Sequence, residues 1–233
     1  DLPVRLTEDR APVAAGTRGL ELRADEQRFV IEGLEQRPTL SLLRGFSAPV
    51  RLEYDHSDEA LAFLFAHDAD AFNRWDAGQQ LATRILLRWV YDGIDTPPEL
   101  FIEAFRRTLN DPQADPAFVA EALTLPAESH IAEQMPVIDV DAIHAARETL
   151  RTRLAQALAT DFRAAYTRHR VDGTYRAEAA DIGQRRLRNL CLAYLAARNE
   201  PADLRRCLEH FHAADNMTDT MAALSLLADS REA

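Results

Sequence analysis

The sequence contains no lysine, since all 27 residues counted as Lys or Arg are arginine. A chain without lysine cannot form a Schiff base with a carbonyl substrate or with pyridoxal phosphate. It also lacks the lysine of a Walker-A loop and the lysine of the kinase lysine–glutamate pair. Schiff-base, P-loop and kinase chemistry are therefore excluded from these 233 residues.

Glycine, cysteine and long apolar runs are also scarce. The 8 glycines leave few positions for tight hairpins, so we expect helix to predominate. Cys191 and Cys207 are too few for a disulfide framework and are expected to be reduced thiols of a cytoplasmic protein. No apolar run approaches the ~20 residues that span a bilayer, and no signal-peptide pattern follows Asp1. Because Asp1 stands in place of an initiator methionine, we interpret the chain as part of a longer protein.

Acidic residues outnumber basic ones, which gives a net charge of −11. Broad nucleic-acid binding requires a basic surface, so we expect no nucleic-acid partner, and the lack of a spanning segment predicts no membrane partner. The hydrophobic fraction of 47% is sufficient for a sizeable core.

Residues 1–54 alternate apolar and polar side chains with the period of a β-strand. The runs are Leu20–Arg23, Gln27–Glu32, Leu40–Leu42 and Val50–Tyr54, and prolines and glycines separate them. The pattern predicts about four antiparallel strands. A sheet of this size buries only one face, so it requires further strands or a neighbouring element.

Residues 55–233 instead show the period of α-helices. Ser57 and Asp115 are typical N-caps, and Thr96–Glu99 reads as a capping box with proline at the first helical position. We expect about eight helices in an irregular superhelical array of antiparallel pairs, without a repeat of fixed period.

Five apolar stripes at helical spacing are expected to line the core of this array. Their members are Phe72, Trp75, Ala82, Leu86 and Trp89; Leu150, Leu154, Leu158, Phe162 and Tyr166; Leu187, Leu190, Cys191, Tyr194 and Leu195; Leu204, Cys207, Leu208 and Phe211; and Met217, Met221, Leu224 and Ala228.

The histidines do not form a recognisable zinc site. None of them begins a His-Glu-x-x-His motif, and His210 and His212 would point about 200° apart on a helix. We predict that these two are surface or cap residues. Cys207 and His210, at i and i+3, have the spacing of a nucleophile and its base, but packing of Cys207 into an apolar stripe is the favoured interpretation.

Two acidic clusters, Asp68–Asp70 and Asp139–Asp141, have carboxylates that could serve acid–base or calcium chemistry. Both lie where a helix should begin, so we interpret them as caps and helix-dipole partners.

Arginine is concentrated in two groups, Arg185, Arg186 and Arg188, and Arg147, Arg151 and Arg153. Their guanidinium groups could bind a peptide carboxylate or a phosphate. The favoured interpretation is that they lie on a solvated helix face and pair with acidic residues. From these observations we predict no catalytic, cofactor-binding or metal-binding residue in this chain.

Six longer blocks of the sequence stand out, namely Ser41–Tyr54, Arg74–Ala82, Ala122–Pro126, Arg186–Leu192, Phe211–Asp219 and Ala222–Leu224. These blocks resemble, in the same order, segments of the bacterial aminopeptidase N family of gluzincin metallo-aminopeptidases. The resemblance spans most of the chain and is far more specific than any short motif.

This resemblance implies a zinc-dependent enzyme that removes N-terminal residues from peptides. In the family a catalytic domain carries His-Glu-x-x-His, a further glutamate and a Gly-Ala-Met-Glu-Asn motif, and this sequence has none of the three. A β-sandwich domain and a helical domain that closes over the active-site cavity follow. The resemblance therefore implies the end of the sandwich in residues 1–54 and the first part of the helical domain in 55–233. Zinc and the peptide substrates would be bound by the rest of the enzyme, whose catalytic domain is the expected partner.

Two alternatives remain at this point. The chain could be a free-standing helical scaffold for protein–protein interaction, or a cysteine hydrolase that uses Cys207 and His210. If the chain is instead a fragment of the aminopeptidase, the partial sandwich in residues 1–54 would expose a strand edge and an apolar face, from which we expect self-association.

Overall fold

The computed structural model describes residues 5–6 and 16–230. The chain divides into two compact units, Asp1–Arg51 and Leu52–Ala233. Each unit is considered by itself below.

The described part of the first unit contains one pair of short antiparallel strands. β1 (Arg5–Leu6) pairs with β2 (Ile31–Glu32), and Leu6 lies opposite Ile31. A 3-10 helix follows at Arg44–Phe46, where Gly45 adopts a left-handed conformation at a φ of 63°.

The prediction of about four strands is wrong for the described residues. Leu20–Arg23, Leu40–Leu42 and Val50–Tyr54 form no strand, and only the end of Gln27–Glu32 does. Alternation shows that one face of a run is apolar, whereas a strand also needs a hydrogen-bonded neighbour. Leu22, for example, is 74% exposed, so no described residues cover the apolar side of its run.

Ten helices form the described part of the second unit, two more than expected. They are α1 (Asp58–His67), α2 (Ala71–Asp92), α3 (Glu99–Leu109), α4 (Pro116–Ala122), α5 (Glu128–Ala132), α6 (Val140–Ala157), α7 (Ala159–Arg168), α8 (Ala179–Ala196), α9 (Pro201–Ala213) and α10 (Met217–Ala228). The mainly helical fold class is confirmed.

The helix starts follow the sequence signals in most places. Ser57 Oγ accepts a hydrogen bond from the Ala60 N–H at 3.2 Å, and Asp115 caps α4 with proline at its first position. The capping box at Thr96 is wrong, because Pro98 is the N-cap of α3 and no side chain caps this helix. A residue that precedes proline is disfavoured in the helical conformation, so α3 cannot begin before Pro98.

Aromatic side chains form the centre of the core. Phe162 of α7 stacks on Tyr194 of α8 with ring centroids 4.6 Å apart, and both rings meet Phe105 of α3 edge-on. Phe105 in turn contacts Phe65 of α1 and Phe101 of its own helix. These contacts join helices that are far apart in sequence. α8 packs against α4, α7, α9 and α10, which makes it the central helix.

Most of the predicted apolar stripes line this core, but Phe72 of the first stripe and Leu208 of the fourth are exposed and lie outside it. Two other stripes differ from the prediction in an informative way. The stripe from Leu150 to Tyr166 is buried throughout but spans two helices, because α6 ends and α7 begins at Leu158. The stripe on α10 faces outward: Met217 is 73% exposed, and Met221 and Leu224 are also exposed. The α10 stripe is therefore not part of the described core.

Candidate functional site

A cavity of about 410 Å³ opens among α7, α8, α9 and α10 and the segment that connects α7 to α8. Tyr166, Arg188, Arg206 and His210 line it, and Arg185 and Tyr175 stand beside them. We call it the arginine cavity. It brings together two of the sequence blocks that carry the family resemblance, Arg186–Leu192 on α8 and Phe211–Asp219, which runs from the end of α9 into the first turn of α10.

A chain of hydrogen bonds crosses the arginine cavity. Arg188 Nη2 donates to the Tyr166 hydroxyl at 3.1 Å, and this hydroxyl lies 2.8 Å from His210 Nδ1. A guanidinium can only donate, so the hydroxyl hydrogen is left to point at Nδ1. His210 then carries its own hydrogen on Nε2, 3.8 Å from Asp219 Oδ1.

Asp219 is held by amide groups around it. Asn189 Nδ2 donates to Oδ1 at 2.8 Å and Asn216 Nδ2 donates to Oδ2 at 3.1 Å. Burial raises the pKa of Asp219, but the hydrogen bonds from His210, Asn216 and Asn189 outweigh it and lower the pKa to about 2. Asp219 is therefore ionised near neutral pH.

His210 corrects the sequence interpretation of the histidines. It is only 3% exposed, whereas a surface or cap position was expected; His212 is exposed as predicted. The i+3 spacing from Cys207 and the i+4 spacing from Arg206 both place His210 near the inner face of α9. Its partner Tyr166 lies 44 residues earlier, and no local pattern indicates that contact.

Cys207 lies in the core, which agrees with the packing interpretation. It is fully buried, and burial raises the pKa of its thiol to about 11. Burial likewise raises the pKa of Cys191 to about 12. A thiol with such a pKa is protonated at neutral pH and is a poor nucleophile, so the geometry does not support a cysteine hydrolase.

Both thiols are expected to resist alkylation in the folded protein. Addition of a thiol-reactive chromogenic reagent at pH 8 should label neither cysteine within minutes, because reagent access and the thiolate are both lacking. The same reagent should label two thiols per chain in 6 M guanidinium chloride, which serves as the control. Rapid labelling of one thiol in the native protein would contradict this expectation.

A second cavity, of about 650 Å³, lies between the ends of α1 and α3 and the beginning of α2. Arg74 forms its floor, with Nε donating to the Phe65 carbonyl at 2.9 Å and Nη1 donating to Asp111 at 2.7 Å. Thr108 Oγ1 also donates to the Phe65 carbonyl at 3.2 Å. The donors and acceptors of this cluster satisfy one another, so we interpret the cluster as structural.

The acidic clusters are caps, as predicted. Asp70 Oδ1 accepts from the Asn73 N–H at 3.0 Å at the start of α2. Asp139 Oδ1 accepts from the Ala142 N–H at 2.9 Å at the start of α6.

The two arginine groups have different environments. Arg153 pairs with Asp95 at 2.6 Å, Arg151 with Glu148, and Arg186 with Glu121, which are the solvated ion pairs that were expected. Arg147 Nε donates to the Pro126 carbonyl at 2.9 Å. Arg185 and Arg188 instead turn into the arginine cavity, where the described residues offer them no carboxylate partner. The favoured interpretation thus fails for these two.

The described residues do not fit the zinc ion that the resemblance implies. Among residues 5–6 and 16–230, no three His, Cys, Asp or Glu side chains converge as metal ligands. In the same part of the chain, no helix is both long and apolar enough to cross a membrane.

Comparison with family models covers nearly the whole chain. The model described as "Domain of unknown function (DUF3458) Ig-like fold" matches residues 2–55. The model described as "Domain of unknown function (DUF3458_C) ARM repeats" matches residues 58–233.

Individual proteins give a consistent result. Aminopeptidase N of Escherichia coli K12 is 43% identical over 211 residues, which are 88% of this chain and 24% of that protein. Aminopeptidase N of Caulobacter vibrioides is 41% identical over 83% of this chain and 22% of its own length. Aminopeptidase N of Haemophilus influenzae is 38% identical over 89% of this chain and 24% of its own length. The chain thus spans about a quarter of the length of these relatives.

A solved structure shares the fold. The crystal structure of Legionella pneumophila aminopeptidase A in complex with aspartic acid superposes with a TM-score of 0.72 and 27% identity. It covers 87% of this chain and 26% of the other. The chain therefore belongs to the family that the two DUF3458 models describe. Its similarity to the aminopeptidase N proteins confirms the resemblance that the sequence blocks indicated.

Proposed function

We propose that this chain is a non-catalytic part of a zinc-dependent aminopeptidase that removes N-terminal residues from peptides. The observation that carries this proposal is the 43% identity to an aminopeptidase N over 88% of the chain. The catalytic domain would be supplied by the same polypeptide and would bind both zinc and peptide. The lack of three converging metal ligands among the described residues is consistent with this division of roles.

Within such an enzyme, residues 1–54 would be the end of a β-sandwich domain and residues 55–233 the first part of the helical domain. The helices would enclose the active-site cavity and restrict entry to peptides. A wall of this kind must be rigid, and the continuous aromatic packing of α1, α3, α7 and α8 supports that role. We further propose that the enzyme is cytoplasmic.

A helical scaffold for protein–protein interaction is the second candidate. The observation that favours it is the α10 stripe of Met217, Met221 and Leu224, because exposed apolar faces often bind partners. The encoding gene separates the two candidates. An open reading frame that continues upstream through a His-Glu-x-x-His motif would support the aminopeptidase.

The test compares the isolated 233-residue chain with the product of the full open reading frame. We expect the isolated chain to hold far less than one zinc per molecule and to leave an aminoacyl reporter intact. The full product should hold zinc and cleave both the reporter and a short peptide. It should leave the same N-terminal residues intact on a folded protein, because the helical wall restricts entry.

Two results would contradict the proposal. Stoichiometric, tightly held zinc in the isolated chain would place a metal site in this segment. Equal cleavage of the folded protein and the short peptide by the full product would show that the helices do not restrict substrate entry. The assignment to an aminopeptidase would not be affected by that result.

A further inference from the structure

Three of the four arginines that line the arginine cavity have no carboxylate partner among the described residues, although four carboxylates also line it. Arg185, Arg188 and Arg206 form no ion pair with any carboxylate in residues 5–6 and 16–230, although many other arginines of the chain do. Arg185 is only 4% exposed, and its Nη2 donates to the uncharged carbonyl of Arg176 at 2.9 Å. Buried guanidinium groups normally have a carboxylate partner, because burial of an unpaired charge is unfavourable.

Two of these charges share one aromatic ring. The guanidinium carbon of Arg188 lies 4.6 Å from the ring centroid of Tyr166, and that of Arg206 lies 5.4 Å from the same centroid. Arg185 lies over the neighbouring Tyr175 at 4.7 Å. The rings attract the guanidinium groups weakly, whereas the two like charges beside the Tyr166 ring repel each other. An anion that contacts both guanidinium groups would relieve that repulsion.

Two guanidinium donors at this cavity are also unused within the described structure. Arg188 Nε and Arg206 Nε are buried and have no hydrogen-bond partner there. The guanidinium of Arg206 forms no hydrogen bond with any described residue, whereas Arg188 uses one nitrogen on Tyr166. Buried polar groups are nearly always paired, so such a concentration of unpaired donors indicates a missing acceptor.

The acids around the cavity do not supply that acceptor. Asp172 pairs with Arg170 at 2.8 Å, and Asp219 is held by Asn189 and Asn216. Asp215 accepts from Asn216, and Glu209 is exposed and forms no ion pair with the three arginines. These carboxylates are therefore paired with other groups or exposed to solvent, whereas the unpaired donors belong to arginine.

We propose that the arginine cavity binds a small oxyanion, a carboxylate or phosphate group, through Arg188 and Arg206 beside the ring of Tyr166. The planar guanidinium fork matches both groups because each presents two oxygens to parallel N–H donors. Arg185 contributes further positive charge, and a volume of about 410 Å³ accommodates a ligand of a few heavy atoms to about the size of a tricarboxylate.

Isothermal titration calorimetry of the chain with inorganic phosphate and with succinate tests the site. Each titration is run at constant ionic strength maintained with sodium chloride, so that general screening is the same throughout. We expect saturable binding of at least one probe. Arg206→Gln should weaken that binding at least tenfold, because Arg206 forms no hydrogen bond within the described protein and its loss leaves the fold unaltered.

Arg205→Gln is the matched control, because Arg205 precedes Arg206 on α9 and is exposed. It removes the same charge from the chain and should leave the affinity within twofold. Arg206→Lys retains the charge without the fork and should bind with intermediate affinity. Circular dichroism spectra of all variants verify folding, and Arg188→Gln provides a second variant if Arg206→Gln does not fold.

The two probes separate the sources of the anion. Binding of phosphate alone would assign the site to phosphate esters, binding of succinate alone to carboxylates, and binding of both to oxyanions in general; all three support the proposal. No saturable heat with either probe would overturn it. Equal losses in Arg205→Gln and Arg206→Gln would also overturn it, because general charge would then explain the binding.

Discussion

Replacement of Phe162 by alanine is expected to lower the free energy of unfolding by about 3–5 kcal/mol. Phe162 is fully buried, stacks on Tyr194 at 4.6 Å and meets Phe105 at 6.3 Å. Its loss removes the transfer free energy of the ring and leaves a cavity where α3, α7 and α8 meet. Because the neighbouring Phe105 ring is itself held by Phe65 and Phe101, the site has little freedom to collapse.

Urea denaturation followed by circular dichroism at 222 nm measures this effect as a shift of the midpoint. Phe63→Ala is the control, since Phe63 lies on α1 and is 53% exposed. It removes the same atoms and should cost less than about 1 kcal/mol. Equal midpoint shifts for the two variants would show that the aromatic cluster does not hold the described helices together.

Replacement of Arg74 by methionine is the second change with a large expected effect, at about 3 kcal/mol at neutral pH. The Arg74 side chain is 8% exposed and donates to the Phe65 carbonyl and to Asp111. Methionine fills similar volume but leaves the Asp111 carboxylate without its guanidinium partner. Because Asp111 is partly exposed to water, the expected loss in the free energy of unfolding is at the lower end of the range for a broken buried ion pair.

This loss should depend on pH in a defined direction. Burial raises the pKa of Asp111, but the hydrogen bond and charge of Arg74, together with the backbone N–H groups of Gln113 and Ala114, lower it below its ordinary value. A lowered pKa in the folded state stabilises the protein above the unfolded-state pKa, and the stabilisation disappears as the pH falls through the folded-state pKa. The difference between wild type and Arg74→Met should therefore be largest near neutrality and shrink in acid.

Denaturant midpoints between pH 2.5 and pH 7 measure this dependence, provided that both proteins remain folded over the range. Arg153→Met is the control, because Arg153 pairs with Asp95 at the surface and both side chains are largely exposed. An exposed pair is screened by water and contributes little to stability. A difference for Arg74→Met that does not change with pH would contradict a charge-based role for this residue.

The helical fold could be predicted from the sequence because its signals are local. Ser57, Asp115 and Asp139 cap helices through hydrogen bonds that reach only two or three residues along the chain. Apolar periodicity identified the face that carries Leu150 and Phe162, since a buried face must repeat with the helical period. The same periodicity does not say what covers a face, which is why the α10 stripe was predicted to be core and is exposed.

The strands and the arginine cavity depend on contacts between distant residues, which local patterns do not encode. Alternation in Val50–Tyr54 does not supply the neighbour that a strand requires. Arg188 and Tyr166 are 22 residues apart, and Tyr166 and His210 are 44 apart. The arginine group itself was visible in the sequence, but whether each guanidinium would meet an acid depended on the folded arrangement of α7, α8 and α9.

The break between α6 and α7 has a consequence for motion within the helical unit. Leu158 ends one helix and begins the next with a φ of −113°, yet its N–H donates to Leu154 and its carbonyl accepts from Phe162, both at 2.9 Å. Its side chain is fully buried. Rotation of α7 about this residue would break a backbone hydrogen bond and expose a leucine to water. We therefore expect Leu158 to be a rigid connection between the two helices and not a hinge. The two helices therefore move as one body, with their apolar stripe continuous through the turn.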